Sequence, residues 1–223
     1  MFNVAEGWAD KPLKLPCGRC IGCKLDRSRQ WAVRLMHESE LHEDNMFLTL
    51  TYDDEHLPAD RSVRIEVMQK FLKRYRKRVE PLRFKFFQCG EYGEDYGRPH
   101  YHAIIFGHFF DDALACEIDR YADVFISPTL RSLWPYGNHV IGTVTFDSCA
   151  YVARYCTKKL DGERKDDYVF VDEETGEVFE VEPECSSQSN GLGLEWFKKF
   201  HSDIWNGKDD DFVVSSNGVP AKP

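Results

Sequence analysis

Residues Arg98 to Gly107 place a His-aromatic-His triplet inside an apolar run, Arg-Pro-His-Tyr-His-Ala-Ile-Ile-Phe-Gly. Such a run predicts a β-strand, and on a strand successive side chains alternate between faces. His100 and His102 then point the same way, close enough to grip one metal ion. A second apolar run, Phe84 to Cys89, leads to Glu91, and the intervening residues Tyr92 to Arg98 are Gly-rich and turn-like. A hairpin across them brings Glu91 beside the His pair. Two histidines and one carboxylate leave coordination positions open, which suits catalysis better than a closed structural site. A His pair also arises incidentally, so the triplet needs support from elsewhere in the chain.

The 223 residues suffice for one substantial core with appendages. Three regions are expected: 1–45 with a cysteine cluster and a helix, 46–162 as the core, and 163–223 as an acidic hairpin and C-terminal extension packing on that core. Val219 to Pro223 forms no convincing terminal element, as in a truncated chain. No apolar run reaches membrane-spanning length and no signal-peptide pattern opens the sequence, so no membrane association is expected.

A net charge of −9 argues, taken alone, against a nucleic-acid partner. Its distribution argues otherwise, because local fields steer ligands. The helical pattern over Ile65 to Val79 buries Val67, Phe71, Tyr75 and Val79 and leaves Lys70, Lys73, Arg74 and Lys77 on a basic face. Asp161 to Glu184 is strongly acidic. So one-sided a face in an acidic chain reads as a surface for a DNA backbone, with a solvated face as the plain alternative.

Eight cysteines without a secretory signal favour reduced thiols in a cytosol. Cys17, Cys20 and Cys23 form two overlapping C-x-x-C steps, a spacing at which thiolates converge on a structural Zn2+. No fourth ligand is near in sequence; Cys89, Cys116, Cys149, Cys156, Cys185 and His37 are the distant candidates. An iron–sulfur cluster lacks its usual fourth cysteine too, and a tight turn with free thiols remains open.

Lys24 to His42 is helical by pattern and carries Arg27 and Arg29 as phosphate-contact candidates. Met46 to Tyr52 alternates as a strand. A short helix is expected over Asp111 to Tyr121, irregular chain over 122–137, a strand over His139 to Phe146, a hairpin from Tyr168 to Val181, and a short helix over Gly193 to Trp205.

The second motif is the helical stretch Ser148 to Lys159. Tyr151 and Tyr155 lie one turn apart on one face, each followed after three residues by a cation, Arg154 and Lys158. Tyrosines at this spacing are commonly core, but a core helix rarely places a cation one turn after each phenol. A metal with open positions, two phenols and a basic surface converge on phosphoryl transfer. A tyrosine attacks phosphorus, displaces a 3′-hydroxyl and keeps the strand as a 5′-phosphotyrosine. Free tyrosine has a pKa of about 10, so nearby cations or the metal must favour the phenolate.

Phe47-Leu48-Thr49-Leu50-Thr51-Tyr52, His100-Tyr101-His102 and Tyr151-Val152-Ala153-Arg154-Tyr155-Cys156-Thr157-Lys158 resemble, in order, the three motifs of HUH rolling-circle replication endonucleases. The paired tyrosines resemble the gene A class of isometric single-stranded DNA phages. Pro16 to Cys23, followed by Ser28-Arg29-Gln30-Trp31, is similar to replication initiators of gokushovirus-type microviruses. The resemblance implies an α+β fold, a central antiparallel sheet of about five strands with flanking helices. It further implies Mg2+ or Mn2+ and nicking of a single-stranded viral origin in the host bacterial cytoplasm. Glu91 is the implied third ligand. With no P-loop present, unwinding falls to a host helicase and synthesis to a host DNA polymerase. An HUH transposase or relaxase, or a non-catalytic origin-binding module with a structural metal, are the competing readings.

Overall fold

Alternation along the apolar strands splits the hydrophobic core into two layers, one on each face of a single sheet. The computed structural model describes residues 15–93, 97–118, 121–158, 168–171 and 176–205. In chain order the elements are α1 (Ile21–Ser39), β1 (Asn45–Thr51), α2 (Ile65–Val79), β2 (Lys85–Tyr92), β3 (Pro99–Phe106), β4 (Leu114–Ile118) and β5 (Tyr121–Ile126). There follow α3 (Pro128–Leu133), β6 (His139–Gly142), α4 (Phe146–Lys158), β7 (Val169–Val171), β8 (Val178–Glu180), β9 (Cys185–Gln188) and α5 (Leu194–Trp205). The architecture is α+β, with an antiparallel sheet ordered β4-β5-β6-β1-β3-β2-β9. Seven strands form it, rather than about five, and β7 and β8 pair separately as the expected hairpin.

One layer packs Met46, Leu48 and Leu50 of β1 and Tyr101, Ala103 and Ile105 of β3 beneath Met68, Phe71, Leu72 and Tyr75 of α2. The opposite layer packs Phe87 and Cys89 of β2 and Ile104 and Phe106 of β3 against Ala32 and Leu35 of α1 and Cys149, Val152 and Ala153 of α4. Period-2 strands meeting helices with one apolar stripe produce this division. Since His100 and His102 share the parity of Ile104 and Phe106, they open towards α1 and α4.

Buried charge ties the second layer together. Glu38 of α1 accepts from Lys85 Nζ at 2.8 Å and from the Gly193 N–H at 2.7 Å, and meets His42 Nε2 at 2.9 Å. Trp196 of α5 donates from Nε1 to Glu40 at 2.6 Å. Gly193 has φ +73°, and a Cβ there would lie 2.7 Å from Arg34 Cγ, so glycine is required where α5 turns onto α1.

Three sequence expectations need correction. Asp111 to Tyr121 is not a helix: Leu114–Ile118 is strand β4, paired with β5 at the sheet edge. The stretch 122–137 is not irregular, because it holds most of β5 and all of α3. Ser127 caps α3, accepting from the Leu130 N–H at 3.0 Å, and Pro128 starts the helix rather than interrupting chain. The strand at His139 stops at Gly142, because Thr145 and Ser148 cap each other's backbone N–H groups and start α4 at Phe146. No described helix is long and apolar enough to cross a membrane.

Candidate metal centre and tyrosine helix

The β2–β3 register sets Glu91 opposite His100 and Cys89 opposite His102. Residues opposite one another in an antiparallel pair share a face, so hairpin and alternation together aim all three side chains at one point. Glu91 Oε1 lies 2.9 Å from His100 Nε2 and 2.7 Å from His102 Nε2. The three ligand atoms fall within 4.8 Å of one another. Glu91 is 1% exposed and His102 6%.

Neighbours fix the rings. His102 Nδ1 is 3.0 Å from Thr49 Oγ1, its register partner on β1, and His100 Nδ1 is 3.1 Å from the carbonyl of Arg98. These bonds hold the Nδ1 protons and turn each Nε2 towards Glu91. Despite its short approach, His102 Nε2 lacks hydrogen-bond geometry to Glu91, and Glu91 Oε2 likewise has no hydrogen-bond partner. Buried polar atoms left in this state are costly, and a cation among them satisfies both. The donor set therefore fits a metal ion.

Electrostatics agree with a site built for positive charge. Burial would raise the Glu91 carboxyl, but the contacts from His100 and His102 outweigh it and hold the group down at about 2. Burial also lowers His102, whereas at His100 burial is overcome by Glu91 and the Arg98 carbonyl, which raise the imidazole.

Cys149, Val152 and Ala153 bury one stripe of α4, which carries the neighbouring tyrosines to the metal-ligand side. Tyr151 donates its hydroxyl to Glu91 Oε1 at 2.7 Å, and its ring stands edge-on to His102 with centroids 5.1 Å apart. Tyr155 follows one turn on, its ring centroid 5.4 Å from that of Tyr151. Arg154 is exposed beside them. Lys158 ends the helix, and its side chain lies outside the described residues.

The stretch holding the hairpin and α4, residues 45–160, matches the family model for replication-associated proteins of the ORF2 type. The chain belongs to that family. Replication-associated protein VP4 of Bdellovibrio phage phiMH2K is 36% identical over 214 residues, covering 91% of this chain and 62% of the phage protein. Replication-associated protein ORF2 of Spiroplasma virus 4 is 35% identical over 213 residues, covering 91% and 62%. Replication-associated protein ORF4 of Chlamydia phage 1 is 36% identical over 156 residues, covering 66% and 38%. This chain thus spans about three fifths of the length of the first two relatives. No solved structure matches it.

In this family member the expected DNA-contact residues divide between two surfaces. Lys70, Lys73 and Lys77 are exposed on α2, which covers the sheet face opposite the histidines. Arg74 is engaged in the fold: its Nη2 donates to the Leu133 carbonyl at 2.8 Å and its guanidinium lies 5.8 Å from the Tyr136 ring centroid. Arg27 and Arg29 are exposed on α1, on the histidine side. Arg29 lines a groove of about 900 Å³ with Gln30, Arg34 and Phe197, and Arg27 lines an adjoining groove of about 480 Å³ with Gln30, Trp31 and Arg34. Arg34 stacks over Trp31 at 4.8 Å. Sequence reading missed Arg34 and Thr49; the strand register from Thr49 to His102 was the available signal for the latter.

Cys17, Cys20 and Cys23 do converge, with ligand atoms within 4.8 Å of one another. Cys17 Sγ accepts from the Cys20 N–H at 3.3 Å and lies 3.8 Å from Cys23 Sγ. The backbone N–H groups of Cys20 and Arg19 lower the Cys17 thiol to about 6. Among the described residues no fourth ligand joins them. Cys89, Cys149 and Cys185 are buried, Cys116 sits on edge strand β4, and His37 stacks on Trp196 at 3.5 Å. The Cys156 side chain lies outside the described residues.

Proposed function

We propose that this chain is a metal-dependent endonuclease and strand transferase that nicks a single-stranded viral origin by tyrosine attack and so initiates rolling-circle replication. One observation carries the reading: the Tyr151 hydroxyl is hydrogen-bonded to the carboxylate that faces both histidines. A nucleophile and a set of metal ligands thereby share one oxygen atom.

Glu91, His100 and His102 would hold Mg2+ or Mn2+, which supplies Lewis-acid stabilisation of charge on the scissile phosphate. Tyr151 oxygen bonds to phosphorus as the bond from phosphorus to the 3′-oxygen breaks. The leaving strand carries a 3′-hydroxyl, and the 5′ side remains as a phosphotyrosine ester. A carboxylate held near 2 is too weak a base to keep a phenolic proton whose ordinary pKa is about 10, so the Glu91 contact positions the oxygen rather than deprotonating it. Arg154 and Lys158 are the cations proposed to favour the phenolate or hold the phosphate. Because the ester conserves bond energy, a 3′-hydroxyl reverses the step, and Tyr155 provides a second acceptor for repeated transfer.

The incoming strand is proposed to follow α1, where Arg27, Arg29 and Arg34 interleave with Trp31, the pairing of cations and stacking faces that suits single-stranded DNA. The basic face of α2 would bind backbone elsewhere on the molecule. At Cys17, Cys20 and Cys23 a structural Zn2+ would fix the start of α1. Host helicase and polymerase are the proposed partners, in the host bacterial cytoplasm.

The test is covalent capture. Incubation with origin-derived single-stranded DNA and Mn2+ should shift the protein band on a denaturing gel, and the shift should vanish with EDTA or in a Tyr151→Phe/Tyr155→Phe double variant. Intact DNA binding without any adduct would leave the non-catalytic origin-binding module as the better reading.

A further inference from the structure

The metal centre continues one strand beyond the triad. β9 pairs antiparallel with β2, with Cys89 opposite Ser186 and Gly90 opposite Cys185. The next step in that register places Glu184 beside Glu91. Opposed residues share a face, so Thr51, His100, Glu91 and Glu184 make one row across four neighbouring strands, on the side of α1 and α4.

Other contacts hold Glu184 in this row. A Cβ on Gly90 would lie 2.8 Å from the Tyr101 ring and 3.0 Å from Cys185 Sγ, so glycine there lets β9 close on β2. Two residues before Glu184, the Glu182 N–H donates to Ser62 Oγ at 3.1 Å while the Glu182 carbonyl accepts from Tyr92 at 2.5 Å. Glu184 is 6% exposed, and its charge reaches His100, where burial lowers the imidazole and Glu91 and then Glu184 raise it. Its oxygens are not in the group whose ligand atoms lie within 4.8 Å of one another.

Two carboxylates buried side by side repel unless a cation offsets them. The unsatisfied Glu91 Oε2 and His102 Nε2 already mark where that cation belongs. Hard divalent ions such as Mg2+ keep several of their waters, and a carboxylate just outside the ligand set is suited to hold them.

We propose that Glu184, beside the edge strand that follows the tyrosine helix, is a positioning residue of the metal centre that binds the ion through its coordinated water. The proposal rests on the metal reading of Glu91, His100 and His102. It makes the C-terminal part of the sheet a component of the site, although the family model ends at residue 160.

Mn2+ titration of the full chain, followed by electron paramagnetic resonance, tests it. Glu184→Gln should weaken Mn2+ binding about tenfold or more, Glu184→Asp should retain part of the affinity, and Glu180→Gln, on exposed β8, should bind as wild type. In EDTA, Glu184→Gln should melt at least as high as wild type, since a repulsive charge is gone, and Mn2+ should raise its melting temperature by less. Wild-type Mn2+ affinity in Glu184→Gln, with binding lost in His102→Ala, would overturn the role of Glu184 alone. Absence of Mn2+ binding by the wild-type chain would overturn the metal reading itself.

Discussion

Tyr151 and Glu91 are joined by a 2.7 Å hydrogen bond that crosses from the tyrosine helix to the metal-ligand hairpin. It links the second and third sequence motifs into one site, although the residues are 60 positions apart. The two tyrosines are therefore not equivalent. Tyr151 touches the carboxylate, whereas Tyr155 packs against its neighbour's ring one turn further along α4.

That inequality is measurable. In single-turnover reactions Tyr151→Phe should reduce adduct formation by more than about a thousandfold, as removal of a nucleophile does. Tyr155→Phe should cost about tenfold or less in the first transfer and should mainly impair repeated transfer. Equal losses in the two variants, measured by gel quantification of the protein–DNA adduct, would refute this assignment.

Thr49 holds the His102 ring through Nδ1. Thr49→Val keeps the strand shape and removes the acceptor, so Mn2+ affinity should fall about tenfold, the usual cost of losing a bond behind a ligand. His100→Ala and His102→Ala should abolish metal-dependent cleavage with single-stranded DNA binding largely retained. Calorimetric titration and fluorescence anisotropy separate the two effects.

The two basic surfaces make different demands on DNA. Replacing Arg27, Arg29 and Arg34 by Gln should weaken single-strand binding and reduce its logarithmic salt slope by about 0.7 for each phosphate no longer neutralised. The corresponding triple change at Lys70, Lys73 and Lys77 should leave adduct formation on a short oligonucleotide nearly unchanged. The reverse ranking would move the substrate path to α2.

Glu38 supports α1 through charge, which gives stability a pH dependence. Burial raises its carboxyl, but Lys85, His42 and the Gly193 N–H outweigh burial and lower it below the ordinary value. A depressed folded pKa gives stability that is present above the unfolded value, about 4.3, and is lost as pH falls through the folded value. Glu38→Gln should cost about 2 kcal/mol at pH 7, and the difference from wild type should shrink as the pH drops below about 4. Thermal melts at both pH values provide the comparison.

Local signals were legible in the sequence wherever they reached the site. The Gly-rich turn and strict alternation specified the β2–β3 hairpin, and i,i+4 spacing specified the paired tyrosines on α4. Edge elements were not legible. Leu114 to Ile118 carries helix-compatible Leu, Ala and Glu, and it is strand only because β5 offers a partner. Cys185-Ser186-Ser187-Gln188 has little apolar pattern, and it takes strand form by pairing with β2, which hid Glu184 in an acidic stretch. The pattern of α2 identified its basic face correctly but carried no information about which side of the sheet the helix covers. That choice is made by tertiary packing, in which Phe71 and Tyr75 fill the layer above Leu48 and Tyr101.

The decisive measurement is mass spectrometry of the protein after reaction with origin-derived single-stranded DNA and Mn2+, followed by nuclease trimming and peptide mapping. The account predicts a nucleotide attached through phosphate to Tyr151, absent in EDTA and in His102→Ala. A product cleaved in a metal-dependent way with no tyrosine modified, or an adduct formed equally well without His102, would contradict it.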